Sequence, residues 1–279
     1  LEKFAAFKTQ QSVPAIAPSQ AYTCLHYYLP EIPLSQDFLY YSWLIRNYPR
    51  LTDLERMRST LPALRSPIIS ILMPVYNTPE NYLRAAINSV LAQVYPCWEL
   101  CIADDASTVP HIHQILKDYG EQDPRIKVDF RTENGNISRC SNSALTLATG
   151  EFVALLDHDD LLTPDALYEV VLLINQHPEV DFVYSDEDKI DDHYHLSQPY
   201  FKADWCPDSI LSRMYTCHLG VYRKSLVEEI GGFREGFEGS QDYDLVLRLT
   251  EKNPAYFPHS QSSLPLADSW SLDGKQPRQ

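Results

Sequence analysis

From Ile68 to Tyr184 the chain alternates short apolar runs with amphipathic stretches. Ile68-Ile69-Ser70-Ile71-Leu72-Met73 reads as a buried strand ended by Pro74. Thr78-Pro79-Glu80 then opens a helix with Leu83, Ala86, Ile87, Val90 and Leu91 on one face. Glu99 to Ala103 is a second strand, followed at once by Asp104-Asp105-Ala106-Ser107. Ile112, Ile115, Leu116 and Tyr119 mark the next helix, and Ile126 to Phe130 alternates as a strand does. Asn134-Gly135-Asn136 is a turn that caps a helix carrying Cys140, Ala144, Leu147 and Ala148, closed by Gly150. Phe152 to Leu156 is an unbroken apolar run, and Asp157-His158-Asp159-Asp160 follows it abruptly. Leu167, Val170, Val171 and Ile174 line one more helix before the short strand Phe182-Val183-Tyr184. Strands alternating with helices of this length predict an α/β fold: a Rossmann-like, mostly parallel sheet with helices on both faces.

The flanks are less regular. Residues 1 to 36 carry scattered prolines and read as a linker, whereas Phe38, Tyr41, Leu44 and Ile45, then Leu51, Leu54 and Met57, recur at helical spacing. Residues 1–66 are therefore expected to be an N-terminal extension and 67–252 the main domain. After Ser185, Asp186-Glu187-Asp188 reads as a solvated turn, and Trp205, Tyr215 and His218 as a stretch able to wall a pocket. Leu219 to Tyr222 reads as a strand, with a short helix after it closed by Gly231-Gly232. A last helix, with Leu245, Val246 and Leu249, follows Gln241-Asp242-Tyr243-Asp244. Residues 253–279 have little periodicity and are expected to be a disordered tail. The chain starts at Leu1 with no legible signal peptide, and so reads as a piece of a longer protein.

A formal net charge of −15 repels a nucleic-acid backbone, which disfavours polynucleotide partners. It does not disfavour a nucleotide, because a divalent cation can supply the missing charge. No apolar run reaches the roughly 18 residues of a membrane span. The six cysteines match no zinc spacing and suit a reduced compartment.

The acidic run after the Phe152 strand is the strongest chemical signal. Clustered carboxylates repel one another unless a cation or donors compensate them, and Mg²⁺ typically takes one or two carboxylates plus substrate phosphates. The competing reading is an acidic loop capping the next helix at Thr163-Pro164. What favours a metal–nucleotide site is convergence. In a parallel sheet the polar turns at Tyr76-Asn77, Asp104-Asp105 and Asp157 to Asp160 fall on one edge. Neither G-x-G-x-x-G after a strand nor a P-loop is present. For Asp242, a helix-capping role competes with a functional one.

Together these pieces resemble the family-two inverting glycosyltransferases of the GT-A fold, of the bacterial polysaccharide and O-antigen type. The resemblance rests on Pro74-Val75-Tyr76-Asn77, Asp104-Asp105-Ala106-Ser107, Asn136-Ile137-Ser138-Arg139 with Asn142, the D-x-D at Asp157-His158-Asp159, Tyr184-Ser185-Asp186-Glu187-Asp188, and Gln241-Asp242-Tyr243-Asp244 with Arg248, in that order. It implies that Pro74, Val75, Tyr76, Asp105, Arg139 and Asp157 bind the nucleotide, that Asp159 ligates Mg²⁺ or Mn²⁺, and that Asp242 is the general base. It also implies a UDP- or dTDP-linked sugar donor, a glycan or lipid-linked acceptor, and a cytoplasmic enzyme with peripheral association at the inner face of the membrane. The chain departs from the family after residue 252, where a Tyr-His-Trp-Arg-like segment is absent and only His259 offers an imidazole. That departure keeps a second reading alive, an inactive nucleotide-binding module or partner subunit. A nucleotidyltransferase is disfavoured, because Pro74 to Pro79 carries neither glycine nor basic charge to hold a triphosphate.

Overall fold

A computed structural model describes residues 38–191 and 194–252, together with the backbone of 259–260 and 267–268. Two helices come first, α1 (Phe38–Asn47) and α2 (Leu51–Thr60). The alternating region then runs β1 (Ile69–Val75), α3 (Glu80–Leu91), β2 (Trp98–Asp104), α4 (Pro110–Gln122), β3 (Ile126–Phe130), α5 (Asn136–Leu147), β4 (Phe152–Leu155), α6 (Ala166–Gln176) and β5 (Phe182–Ser185). Next come β6 (Glu187–Ile190), β7 (Leu196–Tyr200), the single turn α7 (Pro207–Ile210), β8 (Gly220–Arg223), α8 (Lys224–Glu229) and α9 (Gln241–Lys252). Two dipeptides, β9 (His259–Ser260) and β10 (Ala267–Asp268), complete the described elements.

The main sheet has seven strands in the order β3-β2-β1-β4-β8-β5-β9. Only β8 runs against its neighbours, β4 and β5. The mostly parallel α/β architecture expected from the pattern is thus present. Period-two alternation divides the core in two. Ile69, Ile71 and Met73 of β1 join the apolar faces of α3, α4 and α6, while Leu72 points the other way, into a cluster with α5 and α9. Ser70, also on that second side, hydrogen-bonds Glu99 at 2.7 Å. Burial alone would raise the Glu99 carboxyl, but hydrogen bonds from Lys127, Thr149 and Ser70 outweigh it and hold it at about 2.

A second sheet, β10-β6-β7, corrects the reading of Asp186-Glu187-Asp188 as a solvated turn. The chain passes from β5 to β6 through Asp186 alone, and both Asp186 and Asp188 are buried. Each draws a partner from elsewhere in the chain: Asp186 accepts the Lys202 N–H, and Asp188 accepts the Tyr40 hydroxyl of α1, while burial raises the Asp188 carboxyl well above its ordinary value. The expected N-terminal helices exist and pack on the domain. Tyr40, Tyr41 and Leu44 form one cluster with Leu196, and Leu54 packs on Ala92 and Val94. Within the stretch expected to be disordered, His259–Ser260 pairs in parallel with β5 and Ala267–Asp268 with β6. The rest of 253–279, and residues 1–37, lie outside the described residues.

Candidate active site at the carboxyl edge of the sheet

Strand register brings the polar turns together. Val75 of β1 lies opposite Asp104 of β2, and Leu72 opposite Leu155 of β4, so the chain leaves all three strands at one edge. Tyr76 emerges there 46% exposed. Asn77 joins the first two turns: its Oδ1 accepts the N–H groups of Thr108 and Val109, and its own N–H donates to Ser107 Oγ.

Asp105 differs from the exposed turn carboxylate that a ligand contact suggests. It is only 2% exposed. Arg131 Nε donates to its Oδ1 at 2.8 Å and the Gly135 N–H at 2.9 Å, so the carboxylate ties β2, the end of β3 and the start of α5 together. Arg131 continues the network to Ser143 Oγ and the Arg139 carbonyl. Arg139 itself is exposed and pairs with the exposed Glu235 at 2.7 Å. Asn142 exchanges two hydrogen bonds with the backbone of Phe233, which fixes the loop after α8 against α5.

Between these elements lies a cleft open to solvent. Pro74, Ile137, Ser141, Asp157, His218 and Asp242 lie along it, so β1, α5, β4, the segment before β8 and the start of α9 all contribute. Asp157, Asp160 and His218 present ligand atoms within 4.8 Å of one another. Asp159, the expected metal ligand, is not part of this group; its Oδ1 lies 3.6 Å from His158 Nδ1. The turn explains the difference: the Asp160 N–H bonds back to the Asp157 carbonyl, which brings residues three apart to one side and leaves Asp159 on another. Carboxylate oxygens with one imidazole suit Mg²⁺ or Mn²⁺ in donor chemistry.

Asp242 sits in the first turn of α9, with Oδ1 accepting the Tyr243 N–H at 2.7 Å. Burial raises its carboxyl above the ordinary value and the nearby Asp157 charge adds to this, against pulls from the Tyr243 N–H and His218. Its neighbour Asp244 has a different environment. Burial would raise Asp244, but bonds from Arg234 and Arg248 outweigh it and hold the carboxyl below the ordinary value. Asp244 is thereby a structural anion, and Arg248 also donates to the carbonyls of Ile230 and Gly232.

The sequence marks neither Asp160 nor His218 as a metal ligand: Asp160 stands inside the acidic run, and His218 in the irregular stretch expected to wall a pocket, where it does line the cleft. His259 lies on β9, where its backbone is opposite Tyr184. Among the described residues no helix is long and apolar enough to cross a membrane.

Comparison with known proteins agrees with this geometry. The pattern of glycosyl transferase family 2 matches residues 70–231, more than half of the chain. An uncharacterized protein, y4gI, of Sinorhizobium fredii is 46% identical over 220 residues, 78% of this chain and 24% of that protein. The O-antigen biosynthesis protein RfbC of Myxococcus xanthus is 40% identical, over 80% of this chain and 17% of that protein. Chondroitin synthase of Pasteurella multocida is 30% identical, over 67% of this chain and 19% of that protein. The chain thus spans a quarter or less of the length of these relatives. Among solved structures, S. aureus TarS 1–349 superposes with a TM-score of 0.60 at 24% identity, over 72% of this chain and 60% of that one. The same fragment is known in complex with UDP-GlcNAc, again at a TM-score of 0.60 and 24% identity, over 74% of this chain and 59% of that one. That likeness establishes a shared GT-A architecture, and the match over residues 70–231 establishes that the chain belongs to glycosyl transferase family 2.

Proposed function

We propose that residues 67–252 form a catalytic unit that transfers a sugar from a nucleotide-sugar donor to a hydroxyl of a glycan or lipid-linked acceptor, in bacterial polysaccharide synthesis. The observation that carries this reading is the meeting of Pro74, Asp157, His218 and Asp242, drawn from four separate elements, in one cleft. In this reading Pro74, Val75 and Tyr76 hold the nucleoside, with the exposed Tyr76 ring offering a stacking face. Asp105 acts by fixing the turn beneath the base through Arg131 and Gly135. Arg139, at the rim, reaches the phosphates when it leaves Glu235. Asp157, Asp160 and His218, whose ligand atoms meet, would hold Mg²⁺ or Mn²⁺, with Asp159 of the same turn as a further ligand if the turn rearranges on binding. A bound cation supplies positive charge to the diphosphate leaving group.

Asp242 takes the proton from the acceptor hydroxyl as that oxygen attacks the anomeric carbon. The new carbon–oxygen bond forms opposite the breaking bond to the diphosphate, so the anomeric configuration inverts and the nucleoside diphosphate departs with the electron pair. The raised Asp242 carboxyl suits a base that must release its proton again. The likeness to a protein solved with UDP and UDP-GlcNAc supports a uridine nucleotide as the first donor to test, with dTDP beside it. Peripheral attachment to the cytoplasmic face of a membrane would fit an acceptor carried on lipid.

Titration calorimetry of UDP and dTDP, with Mn²⁺ and with EDTA, tests the reading. Binding is expected to strengthen with Mn²⁺ in the parent, to lose that dependence in Asp157→Ala, which removes a member of the ligand group, and to retain more of it in Asp159→Ala. Equal affinity with and without metal in the parent would remove the metal assignment.

A further inference from the structure

Tyr184-Ser185-Asp186-Glu187-Asp188 is the motif that the chemistry above leaves without a task. Four of its five side chains grip the segment from Lys202 to Leu219. The Tyr184 hydroxyl donates to the Ala203 carbonyl at 2.8 Å, and Asp186 Oδ1 accepts the Lys202 N–H at 2.7 Å. Ser185 Oγ accepts the Leu219 N–H at 3.0 Å. Glu187 Oε2 accepts both the Lys202 ammonium at 2.9 Å and the His218 N–H at 3.1 Å.

Lys202 completes the arrangement. Its side chain is 0% exposed. Besides Glu187, its Nζ donates to the carbonyls of Thr216 and His218. An ammonium has three protons, and here three acceptors take them, so none is left for a ligand. The backbone of His218 is therefore gripped at its N–H by Glu187 and at its carbonyl by Lys202. The His218 ring lies in the cleft beside Asp157 and Asp160.

We propose that Glu187 and Lys202 are a positioning pair that sets the His218 imidazole against the Asp157–Asp160 carboxylates. The proposal rests on the functional reading above for its metal, but not for its contacts. A side chain that orients a metal ligand typically changes metal affinity 10–100-fold when it is lost.

Two measurements on Lys202→Met test it: hydrogen exchange followed by mass spectrometry, and calorimetry with Mn²⁺ alone. Faster exchange confined to peptides covering residues 214–219, with about 10–100-fold weaker Mn²⁺ binding and unchanged UDP affinity in EDTA, is the expected result. Glu187→Gln keeps an oxygen for the His218 N–H while removing the anion beside Lys202. It is expected to show a smaller change in the same direction, and it serves as the test if Lys202→Met does not fold. Unaltered exchange at 214–219 in a folded variant overturns the proposal. So does parental Mn²⁺ affinity in Lys202→Met when His218→Ala loses it. If the parent takes up no Mn²⁺, the metal assignment falls instead, and the exchange data alone decide the pair: local loss of protection supports it, unchanged protection overturns it.

Discussion

Asp105→Asn is expected to destabilise the fold rather than simply to empty a ligand contact. The carboxylate is 2% exposed and receives Arg131 Nε at 2.8 Å and the Gly135 N–H at 2.9 and 3.1 Å. Removing one partner of a buried ion pair typically costs about 3–5 kcal/mol, because the other charge is left uncompensated. Asparagine retains one oxygen acceptor. Its amide nitrogen, however, must face either the guanidinium or the Gly135 N–H, and so sets donor against donor. Arg131 is 19% exposed at its side chain and keeps Ser143 Oγ, which lets water and that hydroxyl absorb part of the loss. We expect a net cost of about 2–4 kcal/mol. With a urea dependence of about 2–3 kcal/mol per molar, the unfolding midpoint should fall by roughly 1–2 M at unchanged slope. Circular dichroism and tryptophan fluorescence should report the same midpoint. A midpoint equal to that of the parent, accompanied by lost UDP binding, would refute the structural role and return Asp105 to direct contact with the base.

Two further outcomes follow from other buried carboxylates. Burial pushes the Asp165 carboxyl, at the start of α6, up to about 7 from an ordinary value of 3.8. The folded state therefore holds a proton that the unfolded chain releases: this contribution to stability is full below pH about 4 and is lost as pH rises through about 7. Asp165→Asn should raise stability at pH 8 by about 2–4 kcal/mol and flatten the profile of urea midpoints between pH 4 and 8; an unchanged profile would show that Asp165 is ionised in the fold. Asp242→Asn should lower sugar transfer roughly 10²–10⁴-fold while preserving donor affinity and the melting temperature, and near-parental transfer would dismiss it as the base.

The main sheet was legible because its signals are local. Ile69 to Val75, Ser70 apart, and Phe152 to Leu156 are apolar over the length of a strand, and polar turns follow them at Tyr76-Asn77 and from Asp157 on. The meeting of Tyr76, Asp105 and Asp157 at one edge follows from parallel topology alone. What stayed hidden depends on partners distant in sequence. Asp188 looks solvated beside Asp186 and Glu187, yet the Tyr40 hydroxyl, 148 residues away, meets it in the interior. Asp105 resembles its neighbour Asp104 in sequence, and only the return of β3 and α5 over the turn closes Arg131 onto it. His218 has no motif around it because its place is set by Glu187 and Lys202, which act through backbone contacts.

The same contrast separates the acids that build the fold from those left for chemistry. Asp105 holds Arg131, Asp244 holds Arg234 and Arg248, Glu187 holds Lys202, and Glu99 holds Lys127. Each of these carboxylates has its charge met by a lysine or arginine within the chain. Among the described residues, no lysine or arginine forms an ion pair with Asp157, Asp159 or Asp242. Among the described residues, Asp157 and Asp242 therefore share one cleft with His218 and without a lysine or arginine paired to either. Burial is the main cause of the raised Asp242 carboxyl, and the Asp157 charge adds to it. A nucleoside diphosphate entering alone would meet that charge as repulsion, whereas one entering with a divalent cation would meet it as coordination. Under the proposed function, the distribution of lysines and arginines among the described residues suits a donor that enters with its cation.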